Sequence, residues 1–523
     1  MTAQPRALSV SDVLSAIKTF EPRKALETMV ELRLGLSTLS HSYAAKPEKE
    51  KDYIAARFEK AIAQGNRHQK LLAASVLHEI TGDYAPLARI ARWLRHWDMG
   101  LTERYHSWFS FMAIPFDRVY RFTPFQRAKL DRHARQVYAR LFADASDAWS
   151  SALPNTLSPQ SERRRVALSV CQYLGHRHAP TAAVRRMAAR LRARGFEVKI
   201  FNLNHTPTRI GSAFYATSVA SSLAEFDGLD SMDVGNDKIA QFWQNPHYGL
   251  TPGSFSAFVT AVQDFAPDCW ITLGPGNLYA DLLTSQIPST SMPMTSDLCI
   301  GMPGAYGSVR DLSPVTARLL SGVGITRAHC VDLPNGFALP ETGTPIDRSS
   351  YGLNEHDFAL AIVTNRPEQD LSQRYLRALD ALCTRAANIR IRVFGSALGR
   401  TDWSTFPQLS QAMAYGGFSA DLVATLSGFD AVLNPPRQGG GTSAAYAMAL
   451  GIPVFTLDDC DVATLTGPDF IWPDHDALLE GVARAAASGI TPAQKDKAKA
   501  RWKVISDLDG QLDALIAGAK RRS

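Results

Sequence analysis

The chain has 523 residues, of which 45% are hydrophobic, 20% charged and 9% aromatic, a balance that fits about three to four globular domains and excludes disorder, collagen-like repeats and coiled-coil rods. Fifty-six Lys and Arg against fifty Asp and Glu leave a net charge of +6. That surplus is mild for the length and no basic block concentrates it, so nucleic acid is not an expected partner.

Six cysteines stand far apart, at Cys171, Cys269, Cys299, Cys330, Cys383 and Cys460. No CxxC occurs and no Cys/His cluster has zinc spacing, so no metal site is expected. Apolar surroundings such as SVCQYL suit buried thiols in a reducing compartment. The N-terminus lacks a basic start followed by an apolar signal core. No run of about 18 apolar residues is present to span a bilayer as a helix. A cytoplasmic protein is expected.

The predicted elements begin with about 150 residues that read as helix. KDYIAARFEKAIAQG, HQKLLAASVLHEITG and PLARIARWLRHWD place apolar residues three and four apart, the spacing of one helix face. PFQRAKLDRHARQVYARLFADA continues the pattern, with Pro124 suited to a first helical position. No fixed repeat marks a solenoid. This region is either a cap with no catalytic role or a docking surface for a macromolecular partner.

The texture changes at SALPNTLSPQSERRR, a polar loop leading into VALSVCQYL, an apolar run typical of a buried parallel strand. A loop (LGHRHAP), a helix (TAAVRRMAARLRARG) and a second strand (FEVKIFNLN) follow, a βαβ unit within about 40 residues. APDCWITLGPGNL, PSTSMPM and the stretch around Cys330 extend the design. After the turn-rich LPNGFALPETGTPIDRSSYGLNEHD the alternation restarts, with strands at FALAIVTN, IRIRVFGS, AVLNPP and IPVFTLD. Helices are expected between these strands, FSADLVATLSGFD among them, and from DALLEGVARAAAS to the end. The fold class is therefore α/β: two Rossmann-like doubly wound domains preceded by an all-α N-terminal domain. The expected boundaries are 1–150, 165–345 and 350–523. Chemistry is expected in the loops that follow strands, because ligands of open parallel sheets lie beyond the carboxyl ends of their strands.

The most informative stretch is NPPRQGGGTSAAYAMALGIPVFTLDD, Asn434 to Asp459. A strand ends at Leu433, and Gly439, Gly440 and Gly441 lead into a helix that opens with Thr442 and Ser443. Glycines permit close backbone approach, and exposed N–H groups with the helix dipole make an anion site. No Lys follows the glycines, so this is not a Walker loop, and the absence of GxGxxG speaks against a hydride-transfer cofactor. No cofactor is expected.

This loop, its helix, Ala-x-Ala-Leu-Gly-Ile-Pro-Val and the next strand resemble the donor half of GT-B glycosyltransferases. Tyr351 to Gly395 resembles the start of that half, in particular as found in the family of O-GlcNAc transferases and bacterial adhesin N-glycosyltransferases. The resemblance covers roughly Arg165 to the C-terminus. It implies two facing domains, the first on the acceptor side and the second holding a nucleotide-diphosphate sugar, UDP-linked. On that basis Gly439, Gly440, Gly441, Thr442 and Ser443 bind the diphosphate. Many such enzymes carry a carboxylate five residues before the Gly of the Gly-x-Pro turn. Here that position is Tyr446, which can stack or hydrogen-bond but offers no carboxylate. The family's Lys after the strand-end Asn is also missing, and Arg366 is its natural substitute. Arg437 is a second cation, and Asn365, Gln438 and Tyr446 are candidates for the nucleoside or sugar.

The loop after the first strand carries His176 and His178, placed like the family's His-bearing loop, and His178 is favoured as the group that orients or deprotonates the acceptor. Asp458, beside Asp459, is a further catalytic candidate. Gly274, Gly276 and Asn277 end another strand, and Gly304 and Tyr306 lie in a stretch resembling the family's cleft-lining segment; all five are candidates for the acceptor side. Metal-independent chemistry is expected, with the leaving charge falling to the helix dipole and arginines. The resemblance implies a protein acceptor. A GT-B enzyme of polysaccharide or lipid-linked glycan synthesis, and a catalytically degenerate binding protein, are the alternatives.

Overall fold

The computed structural model describes residues 8–521 apart from 118–121, 155–156, 158–163, 172, 174, 176–177, 206–212, 216–225, 227, 235–236, 296 and 396–400. The chain divides into two compact units, one formed by residues 1–115, 121–331 and 515–523, the other by 116–120 and 332–514.

The first unit opens with helices α1 (Val10–Lys18), α2 (Ala25–Ala44), α3 (Glu48–Gln64), α4 (Arg67–Thr81), α5 (Ala85–His96), α6 (Leu101–Asp117) and α7 (Pro124–Ala148). Their starts follow local chemistry. Thr123 accepts the N–H of Gln126, whose side chain bonds back to Thr123, and Pro124 takes the first turn. Asn66 and Gln69 cap α4 in the same way.

The core between these helices is continuous with that of the α/β part. Leu72, Leu94, Trp108 and Tyr138 belong to one apolar cluster with Phe201, Phe258 and Trp270 of the α/β part. Polar bonds fasten the same seam. Arg135, paired with Asp131, donates to Leu298 O and Cys299 O at 2.8 Å each. Tyr138 donates to Asp281 at 2.6 Å. The helices and the first sheet thus share one apolar cluster and count as one compact unit.

That sheet contains β1 (Arg165–Val170), β2 (Glu197–Asn202), β3 (Ser231–Val234), β4 (Asp237–Trp243), β5 (Cys269–Leu273), β6 (Ser289–Met292), β7 (Ala305–Ser308) and β8 (Cys330–Asp332), in the order β3-β4-β2-β1-β5-β6-β7-β8. The β2/β4, β1/β2, β1/β5, β5/β6 and β6/β7 pairs are parallel, and β3 runs antiparallel to β4. Helices α8 (Ala179–Ala193), α9 (Pro252–Phe265), α10 (Leu278–Asp281) and α11 (Pro314–Ser321) connect them. β1 is buried throughout, as its unbroken apolar run predicts.

The second unit holds β9 (Phe358–Val363), β10 (Ile389–Phe394), β11 (Met413–Gly417), β12 (Ala431–Leu433), β13 (Val454–Leu457) and β14 (Ile471–Trp472), ordered β11-β10-β9-β12-β13-β14, with every pair parallel. Its helices are α12 (Pro367–Asp370), α13 (Gln373–Arg385), α14 (Leu409–Ala412), α15 (Leu422–Leu426), α16 (Gly441–Ala449), α17 (Ala463–Thr466), α18 (His475–Ser488), α19 (Pro492–Ile505) and α20 (Leu508–Lys520). The last turns of α20 count with the first unit. The helix expected over FSADLVATLSGFD is only the five residues of α15. Both sheets are open and doubly wound, as expected. All six cysteines are buried free thiols. Among the described residues no helix is long and apolar enough to cross a membrane.

Candidate active site

In the second unit the chain leaves β9 toward β10 on one side and resumes with β12 toward β13 on the other, while β9 and β12 are direct neighbours (Leu360 opposite Ala431). This is a topological switch point, where two strand-end loops diverge and leave a crevice. The loops are Thr364–Arg366 and Asn434–Gly440, the two stretches singled out from the sequence. They meet where Arg366 Nη2 donates to Gln438 O at 2.6 Å.

Two glycines shape the second loop. Gly439 and Gly440 have φ of 93° and 90°, a left-handed conformation that L side chains adopt at a cost. Gly440 occupies the cap position of α16 and has no side chain with which to cap the helix. The first N–H groups of a helix have no acceptor within it, so the turn presents amide donors with the positive end of the dipole. The Ser443 hydroxyl turns inward onto Gly440 O at 2.8 Å. Thr442 is half-buried, whereas Tyr446 packs in an apolar cluster on the core side of α16.

Beneath the turn lies a carboxylate that the sequence did not single out. Asp370, 4% exposed, accepts from Thr364 Oγ1 at 2.6 Å, Arg366 Nε at 3.1 Å and Arg437 Nη1 at 3.1 Å. Arg437 is itself buried and donates to Asn434 Oδ1 at 3.1 Å. Arg437 is thus a brace of the turn, while half-buried Arg366 spans both loops and lies over the Phe116 ring, 4.2 Å from its centroid. Asp461 is the second unforeseen carboxylate. It accepts the Gly439 N–H at 2.8 Å and the side-chain amide of Gln438. Asn365 is exposed, as are Asp458 and Asp459. Partial burial, with Asp459 beside it, raises the Asp458 carboxyl.

The first unit has its own switch point between β1 and β5. His178 precedes α8, half-buried, with Nδ1 3.1 Å from Thr181 Oγ1. Burial lowers its imidazole to about 4, so the ring is neutral at physiological pH. His176 lies outside the described residues. Gly274 and Gly276 adopt positive φ. The Gly276 and Asn277 end of this loop is packed over: Tyr105 donates to Gly276 O at 2.8 Å, and a Cβ at Gly276 would lie 2.8 Å from the Trp108 ring. Asn277 is buried and donates to Gly274 O. Gly304 donates to Ser289 Oγ, and Tyr306 is buried in β7 with its hydroxyl on Gly301 O. Among the described residues, no group of three or more His, Cys, Asp or Glu is arranged to hold a metal ion.

Burial makes this unit sensitive to acid. His106 and His178 are lowered to about 4 and His205 to about 3, each chiefly by burial. Burial raises Asp281 to about 7. Histidines with lowered folded values stabilise fully above about 6.5 and lose that contribution as pH falls toward 4. The raised Asp281 acts oppositely, losing its contribution as pH rises from about 4 to 7. Near pH 5 unfolding takes up three protons at the histidines and releases one from Asp281. These four groups together lower stability by about 2–3 kcal/mol per pH unit between 6 and 5. Urea unfolding followed by tryptophan fluorescence at the two pH values measures this. Equal midpoints would refute it.

No protein-family model matches the chain, and no curated protein does. Among solved structures it is similar to WaaG, a glycosyltransferase involved in lipopolysaccharide biosynthesis, at 14% identity and TM-score 0.43 over 68% of this chain and 98% of that one. It is similar to a mutant O-GlcNAc transferase of Thermobaculum terrenum at 13% identity and TM-score 0.48, over 99% of this chain and 98% of that one. A third similar structure is Anabaena HepE in complex with UDP, at 11% identity and TM-score 0.42, over 68% and 98% of the two chains.

Proposed function

We propose that the chain is a glycosyltransferase that takes a sugar from a UDP-linked donor and passes it to a protein acceptor in the cytoplasm without a metal. The observation that carries this reading is the junction at the second switch point. There an uncapped helix start, two left-handed glycines and two arginines converge on neighbouring strand ends. A departing nucleoside diphosphate needs its charge neutralised, and amide donors with guanidinium groups supply this in a preorganised form. Arg366 reaches the turn from the opposite loop, so it is assigned to the diphosphate, and Arg437 is assigned to holding the turn in shape. The protein acceptor is supported by the sequence resemblance.

His178 is assigned to the acceptor hydroxyl. A group that gains its proton only near pH 4 is a weak base at neutral pH, which favours orienting that hydroxyl by hydrogen bond over deprotonating it outright.

Incubation of the purified protein with labelled UDP-sugars and either protein or glycan acceptors tests the assignment. Label is expected in protein and is expected to fall at least about a hundredfold in the Arg366→Ala, Thr442→Ala double variant, on the scale of removed transition-state donors. Transfer to glycan alone would select polysaccharide or lipid-linked glycan synthesis. Absence of both transfer and nucleotide binding would select a degenerate binding protein.

A further inference from the structure

Two arginines and two carboxylates meet at the glycine turn. Arg366 and Arg437 contribute two positive charges, and Asp370 and Asp461 contribute two negative ones. Asp370 is spent on the arginines and Thr364. Asp461 differs, because its carboxylate sits on a backbone donor of the turn itself, Gly439 N–H at 2.8 Å, and also takes the Gln438 amide. It is 6% exposed, so water screens its charge poorly. It is set in the loop after β13, just before α17, and reaches the turn across 22 residues of sequence.

We propose that Asp461 is the resident anion of the turn: it satisfies and shapes the Gly439 turn when no ligand is bound, and it gives up that N–H to the diphosphate of the donor. This rests on the donor-binding reading above. One N–H donates well to one acceptor, so a phosphate oxygen on Gly439 takes the place of the carboxylate. Two anions on the same turn repel. Asp461 thereby weakens donor binding by its charge while preserving the turn by its hydrogen bonds.

The variant that separates the two effects is Asp461→Asn, which keeps a carbonyl oxygen for Gly439 N–H and removes the charge. Calorimetry with UDP and with inorganic pyrophosphate is expected to show about tenfold tighter binding than wild type, the scale of one like-charge contact relieved. Asp496→Asn, which removes an exposed charge from α19, is expected to change neither by more than about twofold. Equal or weaker binding by Asp461→Asn, or an equal gain in Asp496→Asn, overturns the proposal. Should the variant fail to fold, a wild-type structure with UDP decides: the carboxylate is expected beyond hydrogen-bond reach of Gly439 N, and a retained bond overturns the proposal. Failure of wild type and Asp461→Asn alike to bind UDP or pyrophosphate overturns the donor reading, and this inference with it. Binding by both at equal strength overturns this inference alone.

Discussion

Asp370→Ala is expected to destabilise the second unit by about 3–5 kcal/mol, the cost of leaving buried charge without its partner. The carboxylate is 4% exposed and Arg437 6%, so neither guanidinium bond is replaced by water at little cost. Three donors lose their acceptor together: Thr364 Oγ1, Arg366 Nε and Arg437 Nη1. Loss of the first two loosens the loop after β9, and loss of the third frees the side chain that underlies Gly440. UDP binding is therefore expected to disappear along with the stability. Denaturant titration combined with calorimetry reads both. Asp370→Ala with Arg437→Met should be less destabilised than Asp370→Ala alone, because the stranded cation is removed too. A loss below about 1 kcal/mol, the scale of a surface pair, would contradict the buried-network description.

Gly440→Ala is expected to abolish nucleotide binding, whereas Gly439→Ala only weakens it. Both positions are left-handed, at 90° and 93°, so each alanine costs about 1–2 kcal/mol from the backbone alone. What a Cβ would meet differs. At Gly440 it overlaps Arg437 Nη2 and lies 2.9 Å from Asn434 Oδ1. Arg437 is pinned by Asp370 and Asn434, so it moves only by breaking the buried pair. At Gly439 the nearest atoms are Phe116 ring carbons at 3.5 Å, an ordinary contact. Equal loss in the two variants, measured by calorimetric titration with UDP, would show that backbone strain alone matters and that Arg437 does not support the turn.

Much of the fold was legible because strands buried on both faces advertise themselves as apolar runs. VALSV and FALAIV became β1 and β9 at the centres of their sheets. β4 escaped because its exposure varies along DKIAQFW, so no unbroken run marks it. The helical region of about 150 residues was legible in its periodicity, but what it packs against was not. Helical periodicity reports which face is buried, not what buries it, and here part of the answer is the first sheet. At the site, glycines followed by Thr and Ser were readable as a turn feeding a helix. The carboxylates were not. Asp370 stands in PEQD, a polar run that reads as solvated, and its burial arises from Arg437, 67 residues away. Of the acidic residues following β13, the adjacent pair Asp458 and Asp459 drew attention but is exposed. Asp461, two residues on, is the one that turns inward.

The membership of α20 has a consequence for the order in which the protein is made. Residues 515–523 belong to the first compact unit, with Leu515 and Ala519 buried and Gly518 so close to Val331 and Thr290 that a Cβ there would lie 2.8 Å and 3.1 Å from them. During synthesis, some 180 residues of the second unit (332–514) leave the ribosome before that seat on the first sheet is filled. The N-terminal unit thus cannot mature in simple vectorial order. It waits, incomplete along β8, for the last helix to arrive, and a nascent chain stalled ahead of Leu515 would leave Val331 and Thr290 uncovered.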